Sequence, residues 1–450
     1  MDSVLIRGGR LIDPATHTDA RLNLLLRGGK VAWVGTEEPQ ADRVIDAAGR
    51  VVCPGFIDIH MHEDPVGPDG SVDFCIFDCM LRMGVTTAVG GNCGSNVWDP
   101  TEYLDLIDRD GAPVHVALYA GHSWARQAAG VTDKYAAATE EQTRRMESLL
   151  DKALDAGCVG VSFGLRYVPG TERDEFYRAA ARCQSRHRLI ASHVRNDAEY
   201  IFSAIDEMAG AAQCYDLPLQ ISHIGSMAGF GQMEQVLRQT DSLRMSGLDV
   251  MLDCYPYDAF STEIGATTYD DGWLDRYACG YEVLEFSSGP WKGQRATEES
   301  FRWMRIHDPD ALTVCHVMRP AEVDLALAHP SVMIASDGIL DHGQGHPRAA
   351  GTFPRVLGRS VREGRLSLYE AIRKMTALPA QRLGFPQKGT LRVGADADVV
   401  LFDPETVCDR ATFTEPLLPP EGIGPVLIGG KIALEKGVIR QNSLGRALRK

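Results

Sequence analysis

The sequence lacks an excess of positive charge: 46 Lys and Arg stand against 61 Asp and Glu, a formal net charge of −15. An acidic exterior attracts neither nucleic acid nor an anionic membrane surface, so neither partner is expected. The chain also has no run of about 18 apolar residues, the length a membrane-crossing helix needs. Its opening MDSVLIRGGRLIDP has no basic start followed by a long apolar core, so a secretory leader is not expected and the chain reads as cytoplasmic. A cysteine framework is missing too. The cysteines number 11, an odd count without regular spacing, which fits free thiols in a reducing compartment and excludes a small disulfide scaffold. Cys75 and Cys79, four apart in a predicted helix, read as small buried side chains.

What remains is ordinary globular material, 44% hydrophobic and 24% charged over 450 residues, enough for one large α/β barrel or two ordinary domains. The phrases LIRGGRLID, LLRGGKVAWVG and LIGGKIALEKGVI each set Gly-Gly between alternating apolar runs, the pattern of two-residue turns joining strands. They occur near both ends of the chain. This predicts a β-sandwich built from residues 1–54 and 389–441, an inserted domain of residues 55–388 between them, and a short basic tail at 442–450.

Within the insert, apolar runs alternate with helical stretches: FIDIH (56–60), TTAVGG (86–91), VHVALYAG (114–121), GVSFG (160–164), LIASHV (189–194), LQISHI (219–224), DVMLDCY (249–255), TVCHV (313–317) and VMIASDG (332–338). The alternation predicts an α/β fold with a parallel sheet and crossover helices, in its closed form a (β/α)8 TIM-type barrel. Nine runs are one too many for eight strands, and the sequence does not say which is surplus. Residues 256–312 exceed an ordinary connection and read as a lid or active-site insertion.

His60, His62, Cys93, His193, His223 and Asp337 all fall at or just past the carboxyl ends of these runs. In a barrel those ends share one mouth, where active sites are built. Strand alternation puts His60 and His62 on one side and Met61 on the other. A single histidine among 13 is more often an ordinary surface or core residue, which is the reading for His17, His115, His187, His307 and His329. Six costly polar groups at an apolar mouth are different, because they need a cation or hydrogen bonds to compensate them. Imidazole, thiolate and carboxylate together suit zinc. Glycines around Cys93 in GGNCGSN let the backbone turn so that the sulfur points into the mouth.

PGFIDIHMH (54–62), the late SDG and GTLRVGADADVVLFD (389–403) resemble the amidohydrolase superfamily over nearly the whole chain. GNCG (91–94), GH at 121–122, GVSFGLRYVP (160–169), SH at 192–193 and 222–223, YPYDAFST (255–262) and HPRAAGTFPRVLGR (346–359) are similar to the N-acyl-D-amino-acid deacylases, or D-aminoacylases. The resemblance implies metal-dependent hydrolysis of a non-peptide amide C–N bond, with a small-molecule N-acyl-D-amino acid giving a carboxylate and an amine. It implies that Cys93, His193 and His223 hold a tight zinc, and His60, His62 and Asp337 a second, weaker divalent metal. Hydroxide generated there would be the nucleophile, with Asp337 as general base and then acid. Arg348 would receive the α-carboxylate alongside Tyr255, Ser261 and Tyr167. His122, at the third strand end, reads either as a hydrogen-bond partner of the carbonyl or oxyanion or as a purely structural residue.

The hydantoinase and dihydroorotase branch bridges its metals with a carbamylated lysine on the fourth strand, and GVSFG has none. A cyclic amide or imide hydrolase is therefore the second enzyme reading. A catalytically silent barrel scaffold ranks lower, because all six ligand candidates are retained. One departure from the resemblance stands out: Gly225 occupies the position where D-aminoacylases usually carry a lysine for the substrate carboxylate. Acyl and side-chain specificity thus stay open, as does the oligomeric state.

Overall fold

The computed structural model describes residues 3–450. Eight of the nine apolar runs form short parallel strands in chain order: β1 (Phe56–Asp58), β2 (Val85–Gly90), β3 (His115–Leu118, continued by Ala120–Gly121), β4 (Gly160–Gly164), β5 (Leu189–His193), β6 (Leu219–Ile221), β7 (Val250–Cys254) and β8 (Val332–Ile334). Apart from His115 every residue in them is buried, which is why they read as continuous apolar runs rather than alternating ones. One sheet runs β1–β2–β3, and a second runs from Ala120–Gly121 through β4, β5, β6 and β7 to β8. Beyond their ends the first and last strands meet: Asp337 N donates to His60 O (2.8 Å), and His62 N donates to Gly338 O (2.9 Å). Two stretches of candidate chemistry, almost 280 residues apart in the chain, are thereby held together by backbone pairing.

The surplus run is TVCHV. Its strand, Leu312–Cys315, lies at the centre of a three-stranded antiparallel sheet between Phe260–Glu263 and Leu284–Phe286. This small sheet belongs to the long insertion between β7 and β8. Hydrophobic runs of similar length look alike whether they end in a parallel or an antiparallel sheet, because the difference lies in the partner.

Strands from both chain ends build two further sheets. Val51–Pro54 pairs antiparallel with Val399–Phe402 inside a seven-stranded sheet, and Ser3–Arg7 and Asn23–Arg27 lie in a four-stranded one. Val4, Leu24, Val52, Leu401 and Leu427 share one apolar core between them. Gly28-Gly29 and Gly429-Gly430 turn two-residue hairpins, with Arg27 opposite Lys30 and Ile428 opposite Lys431. Gly8-Gly9 does not. The strands on either side of it enter different sheets, and a Cβ at Gly9 would stand 2.5 Å from Val52 Cγ2, so this pair is a tight corner rather than a hairpin turn.

Residues 443–450 run along the amino-terminal ends of the parallel strands: Gly445 pairs with Ala112, and Leu448 N donates to Val116 O (2.7 Å). All 11 cysteines are free, and Cys79 is buried in the helix Ile76–Arg82 with Cys75 at its N-cap. No helix among the described residues is long and apolar enough to cross a membrane.

Candidate active site

His60, His62, Cys93, His193, His223 and Asp337 converge at the carboxyl ends of the parallel strands. Their ligand atoms form two overlapping groups, His60 with His62, Cys93 and Asp337, and Cys93 with His193 and His223, each with all atoms within 4.8 Å of one another. Cys93 belongs to both. Its Sγ lies 3.4 Å from His60 Nε2 and 3.4 Å from His223 Nε2, while Asp337 Oδ1 lies 3.3 Å from both His60 Nε2 and His62 Nε2.

The backbone is turned sharply to bring these side chains inward. Cys93, His223 and Asp337 have φ of 53°, 33° and 49°, in the left-handed region that residues with a Cβ seldom occupy. Each such residue costs on the order of 1–3 kcal/mol and persists only where its surroundings hold it. For Cys93 the support is Glu63, whose Oε2 accepts from Gly91 N (2.6 Å), and Ser162, whose Oγ accepts from Gly94 N (3.0 Å).

Asp253, in the middle of β7, is the functional residue that sequence reading passed over. It accepts from His223 N (2.7 Å) and Gln220 Nε2 (2.8 Å) and lies 3.2 Å from His60 Nδ1, so it orients two of the histidines at once. The available signal was an aspartate inside an otherwise apolar buried strand, a position tolerated only when its charge is used. Ser226 Oγ, 3.0 Å from His223 Nδ1, fixes the other face of that ring.

The electrostatics of the cluster call for a cation. Burial opposes ionisation of Cys93 and Asp337, yet His60 and His223 hold the thiol well below its usual value, and Arg348 with His223 does the same for the carboxyl. In turn, against the cost of burial, Asp337 and Cys93 raise His62 to about 9. His193 is pushed down to about 4 by burial and by His223, which leaves a neutral ring with a free lone pair. One thiolate, one carboxylate and converging imidazoles fit a zinc-type ion, whose positive charge would replace the protons these histidines otherwise gather.

The cluster opens into a cleft of about 630 Å³ lined by His62, Cys93, Asp337, Tyr167, Ser261 and Arg348 among others. That is the size of an ordinary small-molecule site. Arg348 is 1% exposed, with Nη1 3.0 Å from Asp337 Oδ2, Nη2 donating to Ser261 O (3.3 Å) and its guanidinium over the Tyr255 ring at 4.7 Å. Tyr255 thus lies against Arg348 rather than lining the cleft. Tyr167 packs against His193 with ring centroids 4.5 Å apart.

His122 does not join them. It is fully buried, its Nε2 lies 2.7 Å from Glu175 Oε1, and Arg126 Nη1 bonds both oxygens of that same carboxylate at 2.6 Å. The expected contact with a substrate carbonyl is therefore not available to that nitrogen. Gly225 also has a structural reason. A Cβ there would stand 2.9 Å from Cys254 Sγ and 3.1 Å from Met318 Cε, so any larger residue requires these two side chains to move aside.

Comparison with known proteins accords with this geometry. The family model described as Amidohydrolase family matches residues 43–161 and 80–434. An N-acyl-D-glutamate deacylase of Alcaligenes xylosoxydans xylosoxydans is 35% identical, with 95% of this chain and 92% of that protein covered. The chain belongs to the amidohydrolase family. Among solved structures, this amidohydrolase is similar to a D-aminoacylase studied for the functional role of its binuclear metal centre, with a TM-score of 0.90 and 29% identity over 100% of both chains. It is equally similar in extent to the N-acyl-D-glutamate deacylase of Bordetella bronchiseptica complexed with zinc and a phosphonate inhibitor that mimics the tetrahedral intermediate, at 32% identity, a TM-score of 0.88 and 100% of both chains. The phrases that resembled D-aminoacylases in the sequence thus lead to the same relatives.

Proposed function

We propose that this amidohydrolase is a zinc-dependent deacylase of N-acyl-D-amino acids, working at the mouth of a closed (β/α)8 barrel flanked by a β-sandwich of residues 1–54 and 389–441. The observation that carries the reading is the convergence of Cys93 with two histidine groups and Asp337 at the floor of a cleft that also presents Arg348. The relatives' names and the zinc and phosphonate in one of them support it.

Cys93, His193 and His223 would hold the tighter ion, and His60, His62 and Asp337 a second, weaker position. When bound, zinc polarises a carbonyl and lowers the pKa of water toward about 7. Asp337 takes the proton from the attacking water and passes it to the departing nitrogen, so that one carboxylate serves as base and then acid. Arg348 beside it keeps the carboxylate ionised, the form that can accept a proton. Arg348 receives the substrate α-carboxylate, with Ser261 and Tyr167 beside it on the cleft wall, while Tyr255 holds the guanidinium in place. A linear amide is favoured over a cyclic one because β4 carries no lysine and Cys93 takes the shared position between the two ligand groups.

Turnover of paired N-acyl-D and N-acyl-L amino acids and of cyclic imides, with metal content measured on the same sample, tests the reading. Hydrolysis confined to the D series is expected; preference for the L series or for ring opening would overturn it.

A further inference from the structure

Facing the cluster of ligand atoms, the cleft has an outer wall that the proposed chemistry leaves unused. Two loops meet to form it: Lys134 Nζ donates to Gly265 O (3.0 Å), and Tyr135 OH donates to Asp270 Oδ2 (2.6 Å). Beside them Gly265 N donates to Pro309 O (2.7 Å) and Ile264 N to Ala311 O (2.9 Å), which brings Asp310 alongside Glu263. Lys134, Glu263 and Asp310 line the same cavity as Asp337 and Arg348.

The charge on this wall is unbalanced. Among the described residues, neither Glu263 nor Asp310 forms a salt bridge, and the ammonium of Lys134 is committed to the Gly265 carbonyl and to the Tyr135 ring, 5.5 Å from its centroid. Glu263 and Asp310 are both exposed to the solvent of the cleft; partial desolvation and the neighbouring Asp310 raise the Glu263 carboxyl above its ordinary range, against the pull of Lys134 and His62. A cation placed beside it would relieve that repulsion, and an anion would add to it. A substrate with its carboxylate on Arg348 and its amide at the ligand cluster extends its remaining atoms along this cleft.

We propose that Glu263 and Asp310 form a cation-selecting wall, and that the preferred substrates carry an ammonium or guanidinium group on the part that extends beyond the scissile amide. The inference rests on the deacylase reading and narrows its substrate class. The cation can come from the D-amino-acid side chain or from the acyl group, and two isosteric pairs separate these sources. Nα-acetyl-D-ornithine against N-acetyl-D-norleucine tests the side chain; glycyl-D-leucine against N-propionyl-D-leucine tests the acyl group.

The experiment measures kcat/KM for both pairs and for N-acetyl-D-glutamate with zinc-loaded wild type, E263Q, D310N and the double variant. The cationic member of at least one pair should be preferred by about tenfold, equivalent to ~1.4 kcal/mol, and N-acetyl-D-glutamate should be the poorest substrate. In the double variant the cationic-to-neutral ratio should fall toward unity. Because the readout is a ratio within one protein preparation, partial loss of folded enzyme does not imitate the effect. A neutral preference in both pairs, or a ratio that the double variant leaves unchanged, would overturn the proposal while the deacylase reading stands. Failure to hydrolyse any N-acyl-D-amino acid would overturn the deacylase reading and this inference with it.

Discussion

His122 and His193 stand just past or at the carboxyl ends of β3 and β5, both buried, both next to an arginine or carboxylate that could serve chemistry, yet their surroundings differ in kind. Around His122 the groups close on each other: Glu175 accepts from Arg126 and pairs with the imidazole at 2.7 Å, and the network faces no cleft. Around His193 they do not. Two negative groups, Cys93 and Asp337, are shared among four imidazoles, and His193 lines a cavity with His223 and Asp337. The Nδ1 atoms of both His122 and His193 lack a hydrogen-bond partner, so what separates the two is their company: the one carboxylate beside His122 is already paired with Arg126, whereas His193 stands among further ligand atoms.

The sharpest way to break this contrast is to remove one carboxylate from each region. Asp337→Asn should lower kcat/KM of the folded enzyme by about 10³-fold, within the range of lost general acid–base catalysis, and should also lower the melting temperature, because it leaves the buried Arg348 guanidinium unpaired. Glu175→Gln should cost stability alone. Breaking a buried ion pair by deleting one partner costs about 3–5 kcal/mol, readable as a lower denaturation midpoint, while the folded fraction keeps its zinc and its kcat.

The same contrast appears in acid. Burial opposes the charged form of Glu175, but His122 and Arg126 hold its carboxyl below 4.5; burial keeps His122 below 6.5 despite Glu175. Both folded values are depressed, so the unfolded chain binds more protons and stability falls as pH falls. The His122 part is lost from 6.5 downward and the Glu175 part from 4.5 downward, and Glu175→Gln should flatten the lower limb of a melting-temperature profile. A profile that stays parallel to wild type would remove the triad from the stability account.

Arg348→Lys should be smaller in effect. Loss of a charge-assisted, planar contact is worth about 1.5–3 kcal/mol, seen as a raised KM for N-acetyl-D-leucine. N-acetyl-D-leucinamide, which has no carboxylate, should be far less sensitive to the change. Equal losses on both would mean that Arg348 acts through Asp337, which it touches at 3.0 Å, rather than through the substrate.

The six ligand candidates were legible in the sequence because strand ends in this kind of sheet share one mouth, and no pairing detail was needed to see it. The strands themselves were legible as buried apolar runs. TVCHV could not be told from them, since its antiparallel partners lie more than 25 and more than 45 residues upstream and leave no local mark. His122 stayed open between a substrate contact and a structural role for the same reason: Glu175, which pairs with its Nε2, is 53 residues away. Gly8-Gly9 had the local signature of a hairpin, but its strands are claimed by two different sheets through partners elsewhere. Local sequence reports what a residue can do, and long-range neighbours decide what is left for it to do.

Stripping the protein of metal and titrating zinc back, with activity and bound metal followed together, tests the reading of the cluster most directly. Activity should vanish on removal and return as the first equivalent binds, and Cys93→Ala should fail to recover it at the same zinc concentration. Full turnover of an N-acyl-D-amino acid by the metal-free protein, or unchanged zinc-dependent activity in Cys93→Ala, would contradict it.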